Sequence, residues 1–136
     1  IKLIEELKNA GVPVMGHLGL TPQSYLTLGG YKTQGKTQSS ADEILNDAKT
    51  LEAAGVFCIV LEYVNSELAG KITEQTSVPI IGIGSGDKTD GQILVINDLL
   101  GFGKNKMPSF VKPKINLYDI IKKAVNEYSR DVAGNI

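Results

Sequence analysis

The stretch that decides the fold follows an apolar segment and reads Gly16-His17-Leu18-Gly19-Leu20-Thr21-Pro22-Gln23-Ser24. The run Val-Pro-Val-Met at residues 12–15 predicts a strand that continues to Leu18. Thr21 and Pro22 have the character of an N-cap and of a first helical residue, so a short helix is expected to begin there. The lone histidine thus lies at the carboxyl end of a strand, beside a glycine-bearing turn. Enzymes of the α/β class keep their reactive groups at such positions.

The order of helix, small-residue stop and strand recurs along the chain, at residues 10–12, 54–56 and 76–78. Helical spacing indicates a helix before Gly11 and a second helix that ends at Gly55. Ser40 and Glu43 have the spacing of a capping box and are expected to begin the second helix. The strand candidates at residues 56–62 and 78–83 are almost entirely apolar. Continuous apolar residues are typical of strands buried on both faces of a parallel sheet.

The remaining segments complete an alternating α/β pattern. Asn65 is expected to cap a helix that runs through Thr73, and the polar, glycine-rich stretch at residues 29–40 predicts a loop. Residues 93–96, Ile-Leu-Val-Ile, predict a fourth strand, and apolar spacing predicts a C-terminal helix over residues 116–132.

This pattern predicts a parallel sheet flanked by helices. Four strands alone would leave an exposed edge, whereas four βα units are half of an eight-stranded barrel of about 250 residues. We therefore expect residues 1–136 to form a single domain, the C-terminal half of a (βα)8 TIM-type barrel whose other half lies upstream.

Composition excludes several classes of function. The chain is 42% hydrophobic and 21% charged, with a formal net charge of −1, which gives no case for binding nucleic acid or an anionic membrane. No apolar stretch approaches the roughly 20 residues that span a bilayer. The single cysteine, Cys58, lies in an apolar run and fits an inert buried thiol in a reducing cytoplasm.

Two residues at strand ends are candidates for chemistry. Glu62 follows Ile-Val-Leu, so its carboxylate emerges from apolar surroundings, which would favour a general base near neutral pH. A glutamate that pairs with a lysine or caps the next helix is the alternative. His17 could be an acid, a base, a metal ligand or the partner that orients Glu62.

Other candidates carry weaker signals. The Gly82–Gly86 turn lacks the motifs of dinucleotide and phosphate loops, and its default interpretation is a tight turn at the mouth of a barrel. Lys32 and Lys36 could meet an anionic ligand, although most loop lysines face water. Asp90 and Asp98 could bind a metal, yet nothing else completes a ligand set.

Together these stretches resemble the ketopantoate hydroxymethyltransferase family over residues 1 to about 113. The matching segments are Pro13–Ser24, Gly29–Gly35, Leu51–Gly55, Val60–Glu62, Ile80–Gly86 and Thr89–Val95. The resemblance implies transfer of a hydroxymethyl group from 5,10-methylenetetrahydrofolate to 3-methyl-2-oxobutanoate, giving 2-dehydropantoate for pantothenate biosynthesis, with Mg²⁺ as metal and Glu62 as base. It assigns His17 a supporting role and assigns no residue to folate binding.

The resemblance also implies what this chain lacks. The family's metal-binding aspartates and substrate-binding lysine belong to the first four βα units, so we expect no metal ligands here and no turnover by these residues alone. The implied protein is a cytoplasmic, ring-type homo-oligomer. Two alternatives stay open, namely a non-catalytic half-barrel that serves binding or assembly, and another enolate-forming carbon–carbon lyase that acts on 2-oxo acids.

Overall fold

The computed structural model describes residues 1–27, 29–104 and 107–134. The chain divides into two compact units, residues 1–93 and 94–136, and the expected single domain stays a prediction. In chain order the elements are α1 (Lys2–Asn9), β1 (Met15–Gly19), a 3-10 turn (Pro22–Ser24), α2 (Gln38–Ala54), β2 (Cys58–Glu62), α3 (Ser66–Gln75), β3 (Ile80–Ile83), β4 (Gly91–Gln92), α4 (Ile96–Leu100) and α5 (Leu117–Gly134).

The first unit is built on a parallel sheet with the strand order β1-β2-β3-β4. Consecutive parallel strands joined by right-handed crossovers place their helices on the same face of the sheet. Buried side chains from α2, β2, α3 and β3 form the core on that face, among them Leu45, Ile59, Leu61, Ile72 and Ile80. The predicted α/β fold with a parallel sheet is confirmed, whereas closure into a barrel stays a prediction.

The other face of the sheet is more open. Alternate residues of a strand point to opposite faces, so Met15, His17, Val60 and Glu62 share the face away from α2 and α3. Met15 is 49% exposed although it lies within a strand. Helices on a single face and apolar side chains on the other are consistent with part of a TIM-type fold.

The end of α2 and the start of α3 lie where the sequence predicted them. Gly55 ends α2 in the left-handed conformation, with φ of 91°, and its N–H donates to the Glu52 carbonyl. Only glycine adopts such a φ at little cost, which explains the predicted stop. Asn65 caps α3 as expected, because its Oδ1 accepts from the backbone N–H groups of Glu67 and Leu68.

The predicted capping box at Ser40 and Glu43 is wrong. The N-cap is Thr37, whose Oγ1 accepts from the Ser40 N–H while the Ser40 Oγ accepts from the Thr37 N–H. Ser40 is therefore the third residue inside the helix, where a second hydroxyl replaces the usual Glu or Gln. As a result α2 begins at Gln38 and the glycine-rich loop ends at Thr37, earlier than expected.

The predicted fourth strand at residues 93–96 is also wrong. Strand pairing ends at Gly91 and Gln92, and the backbone then begins α4 at Ile96. A carboxylate fixes this register, since Asp90 Oδ2 accepts from the Ile80 N–H at 2.8 Å. Ile93 and Val95 remain about half exposed, at 52% and 51%, so their apolar character does not mark a buried strand.

The second unit contains α4 and the long helix α5. The predicted C-terminal helix is confirmed as Leu117–Gly134, although none of its described side chains is buried. Lys104 Nζ lies 5.2 Å from the centre of the Tyr118 ring, a cation–π contact within this unit. No helix among the described residues is both long and apolar enough to cross a membrane.

The first prediction concerns the core. Truncating Leu68, which is 6% exposed on α3, should cost about 2–4 kcal/mol because Leu68→Ala leaves a cavity. Leu3→Ala is the matched control, since Leu3 is 66% exposed on α1 and should change stability by about 0.5 kcal/mol or less. Urea unfolding midpoints of the two variants measure the difference, and equal midpoints would contradict this packing.

The second prediction concerns Cys58. Burial raises the pKa of the Cys58 thiol, so less thiolate is present near pH 8 than in an exposed cysteine. Iodoacetamide should alkylate the folded protein more than about tenfold more slowly than the urea-unfolded protein. Mass spectrometry of the alkylated protein follows the rate, and rapid labelling of the folded state would show that Cys58 is accessible.

Candidate active site

Three strand ends meet at the carboxyl edge of the sheet. Glu62, the last residue of β2, pairs with Gly19 of β1 on one side and with Ile83 of β3 on the other. His17 lies on β1 opposite Val60, two residues before the strand ends. Glu62 therefore occupies the middle of this edge, with His17 diagonally across from it on the same face.

The structure brings His17 and Glu62 together. His17 Nε2 lies 3.1 Å from Glu62 Oε2, and the two side chains are 36% and 21% exposed. The pair is therefore partly shielded from water without being buried. Their roles in chemistry stay predictions, but the arrangement that such roles need is present.

A carboxylate next to an imidazole supports acid–base chemistry. The Glu62 carboxylate can accept a proton from a bound carbon acid, and an imidazole that carries its proton on Nε2 can orient the carboxylate or share that proton. A second carboxylate or a nucleophile is not required for this type of step.

The chain turns sharply directly after Glu62. Tyr63 has φ of 54°, in the left-handed region that a bulky residue rarely adopts and that costs about 1–3 kcal/mol. Its backbone is held on both sides, because its N–H donates to the Ile83 carbonyl and its carbonyl accepts from the Gln34 N–H, at 2.9 and 2.8 Å. The glycine-rich loop is thereby attached to the end of β2.

Two further residues, Leu20 and Ser85, form hydrogen bonds to the backbone on either side of this turn. The Leu20 N–H donates to the Glu62 carbonyl at 2.8 Å, and the preceding Gly19 has φ of 90°. A Cβ at Gly19 would overlap the Glu62 carbonyl oxygen, so a side chain is excluded there. From the other side, the buried Ser85 donates its hydroxyl to the Leu61 carbonyl and accepts from the Val64 N–H.

The Gly82–Gly86 turn is occupied by contacts within the protein. The Gln92 side-chain amide donates to the Gly86 carbonyl, and a Cβ at Gly86 would overlap the Ser66 hydroxyl. The turn thus packs against the start of α3 and the end of β2. These contacts support the interpretation as a tight turn.

Three other candidates have their own surroundings. Lys36 lines a cleft of about 240 Å³ that also contacts Thr37 and Asn65, the N-caps of α2 and α3. Asp90 is engaged by the Ile80 N–H, and Asp98 lies in the first turn of α4. Within residues 1–27, 29–104 and 107–134, no group of three or more His, Cys, Asp or Glu side chains could hold a metal ion.

Sequence reasoning missed three residues that shape this site: Gln34, Tyr63 and Ser85. Each acts through hydrogen bonds to residues distant in sequence, which no local pattern reveals. The only available signal is indirect, since Ser85 is a small polar residue between two glycines of a turn that follows a buried strand.

The chain is thus an α/β protein with a carboxylate–imidazole pair at the carboxyl edge of its parallel sheet, the edge at which barrel enzymes carry their active sites. The chain belongs to the ketopantoate hydroxymethyltransferase family, whose profile matches residues 1–135. This agrees with the resemblance seen in the sequence.

Its relatives carry the name 3-methyl-2-oxobutanoate hydroxymethyltransferase. The chain is 57% identical over 129 residues to the protein of Pseudothermotoga lettingae. This match covers 95% of the chain and 49% of the relative. It is 52% identical to that of Carboxydothermus hydrogenoformans and 51% identical to that of Pyrococcus abyssi, with 96% of this chain covered in both. These matches cover 48% and 46% of the relatives, so the chain spans about half the length of the proteins that it matches.

Replacing Gly19 tests the close approach of β1 to Glu62. Gly19→Ala should cost about 2 kcal/mol or more, because the residue has a positive φ and the new Cβ overlaps backbone. Gly11→Ala is the control, since Gly11 also has a positive φ but nothing lies within 4 Å of its Cβ position. Urea unfolding compares them, and equal losses of stability would mean that the overlap is relieved without cost.

Proposed function

We propose that the complete protein transfers a hydroxymethyl group from 5,10-methylenetetrahydrofolate to 3-methyl-2-oxobutanoate to give 2-dehydropantoate, and that Glu62 is the general base. Two findings support this: the names of relatives about 50% identical to the chain, and its match to the family profile. The observation that carries the assignment of the base is the contact between Glu62 and His17 at the carboxyl edge of the sheet.

The reaction needs a carbon nucleophile. The C3 proton of the keto acid lies next to the ketone, and its removal by a carboxylate leaves an enolate whose C3 is the carbon nucleophile. Overall, both C–N bonds of the donor's methylene carbon break: one is replaced by the new bond to C3 and the other by a bond to the oxygen of one water. The C3 proton and one proton of the water end on the two nitrogens of the donor, which gives 2-dehydropantoate and tetrahydrofolate. A positioned general base contributes about 10²–10⁴-fold to such a step.

Glu62 is suited to this role by its placement. Its side chain is 21% exposed, its carbonyl is engaged by the Leu20 N–H, and Gly19 and Ile83 flank it in the sheet. The carboxylate is thus held by a rigid edge and keeps access to a ligand. His17 supports it from 3.1 Å, by orienting the carboxylate while the proton is transferred.

Magnesium belongs to this proposal through the family resemblance. The described residues supply one carboxylate and one imidazole at the site, with no cluster of three or more metal-binding side chains, so they do not form a magnesium site by themselves. We propose that the metal ligands and most of the keto-acid-binding groups come from an upstream half of the barrel. Folate as donor, a cytoplasmic location and a ring-type homo-oligomer are part of the same proposal.

The test of the base is Glu62→Gln in the complete protein. Exchange of the substrate's C3 proton with deuterium from solvent should fall by at least about 100-fold, because an amide cannot accept the proton. Binding of the keto acid should be nearly unchanged, since the shape of the side chain is kept. NMR follows the exchange, and isothermal titration calorimetry in the presence of Mg²⁺ measures the binding.

Glu67→Gln is the matched control. Glu67 is an exposed carboxylate on α3 whose partner is Lys88, and its loss should leave exchange at the wild-type rate. Exchange that persists in Glu62→Gln would remove Glu62 as the base. Turnover that persists unchanged in His17→Asn would remove the supporting role of His17.

A further inference from the structure

Ser85 is a buried polar residue with no part in the reaction as proposed. It is 1% exposed, and it is the one polar or charged residue that is buried among the residues that the structure describes. A hydroxyl withdrawn from water needs hydrogen-bonding partners, because leaving it without them is costly. The identity of its partners therefore indicates what the residue does.

Both short hydrogen bonds of Ser85 reach the backbone around the base. Its Oγ donates to the Leu61 carbonyl at 2.7 Å and accepts from the Val64 N–H at 3.0 Å. These two groups lie immediately before Glu62 and immediately after Tyr63. One hydroxyl from the turn after β3 thus joins both ends of the two-residue corner that carries the carboxylate.

The corner needs such a contact. Tyr63 is in the left-handed region, at φ of 54°, a conformation that persists only where the surroundings hold it. The bonds from Tyr63 to Ile83 and Gln34 hold the middle of the corner, and Ser85 holds its two ends. Of these contacts, only the Ser85 contact depends on a side-chain atom, so a point substitution can remove it.

We propose that Ser85 is a positioning residue for Glu62, acting through the Leu61 carbonyl and the Val64 N–H. This rests on the proposed function of Glu62 as the general base. Ser85 itself touches no substrate; it fixes the direction in which the Glu62 carboxylate leaves the strand. Displacement of a reacting group by about 1 Å costs up to about 100-fold in rate, so small relaxation of the corner has a measurable effect.

The experiment is Ser85→Ala in the complete protein, assayed for exchange of the substrate's C3 proton. Exchange should slow by about tenfold, from misplacement of the base. The Kd of the keto acid and the KM should stay at wild-type values, because the groups that bind substrate are not altered. Ser77→Ala is the matched control, since Ser77 is exposed at the other end of β3 and should leave every parameter unchanged.

Circular dichroism establishes that each variant is folded at the assay temperature. Wild-type exchange in folded Ser85→Ala would overturn the inference, as would parallel losses of binding and exchange. If Ser85→Ala does not fold, Ser85→Cys takes its place, since it keeps the volume but weakens both bonds; wild-type exchange in that variant would also overturn the inference. Glu62→Gln, run alongside, distinguishes the two failures. Exchange that is lost in Glu62→Gln but stays at the wild-type rate in Ser85→Ala overturns only the role of Ser85, whereas exchange that persists in Glu62→Gln overturns Glu62 as the base and, with it, the role of Ser85.

Discussion

The parallel pairing of β1 with β2 is the constraint on which the site depends. Its register places Gly19 beside Glu62 and His17 on the same face as Glu62, two residues back. Because side chains alternate along a strand, a shift by one residue would turn either side chain toward the helices and separate the pair. Gly19 allows the close approach, since any Cβ there would overlap the Glu62 carbonyl oxygen.

The loops that leave neighbouring strands complete what the register begins. Leu20 and Gln34, from the segment after β1, and Ser85, from the turn after β3, all bond to residues 61–64. The left-handed Tyr63 is stable because these contacts surround it. Backbone strain of this kind is common at sites where a side chain must point in a fixed direction. Here the neighbouring strands compensate for the strain and keep the edge rigid.

The sequence predicted the elements whose signals are local. Apolar runs indicated β2 and β3, Gly55 and Asn65 marked helix ends, and the strand-end position singled out Glu62 and His17. It was wrong at residues 93–96, where apolar residues lie half exposed because Asp90 fixes the register and pairing ends at Gln92. It was silent on Ser85 and Tyr63, since their importance arises from hydrogen bonds across the sheet rather than from neighbours in sequence.

The contacts at Leu20, Gln34 and Tyr63 join main-chain atoms to main-chain atoms. Such bonds persist when the side chain at the same position changes, unless the new residue is proline, which has no N–H. These main-chain bonds hold the backbone around Glu62 whatever side chains the three positions carry, and the Ser85 hydroxyl adds a side-chain contact at the same corner. Side chains at these three positions can therefore change without breaking the hydrogen bonds that hold the backbone around Glu62.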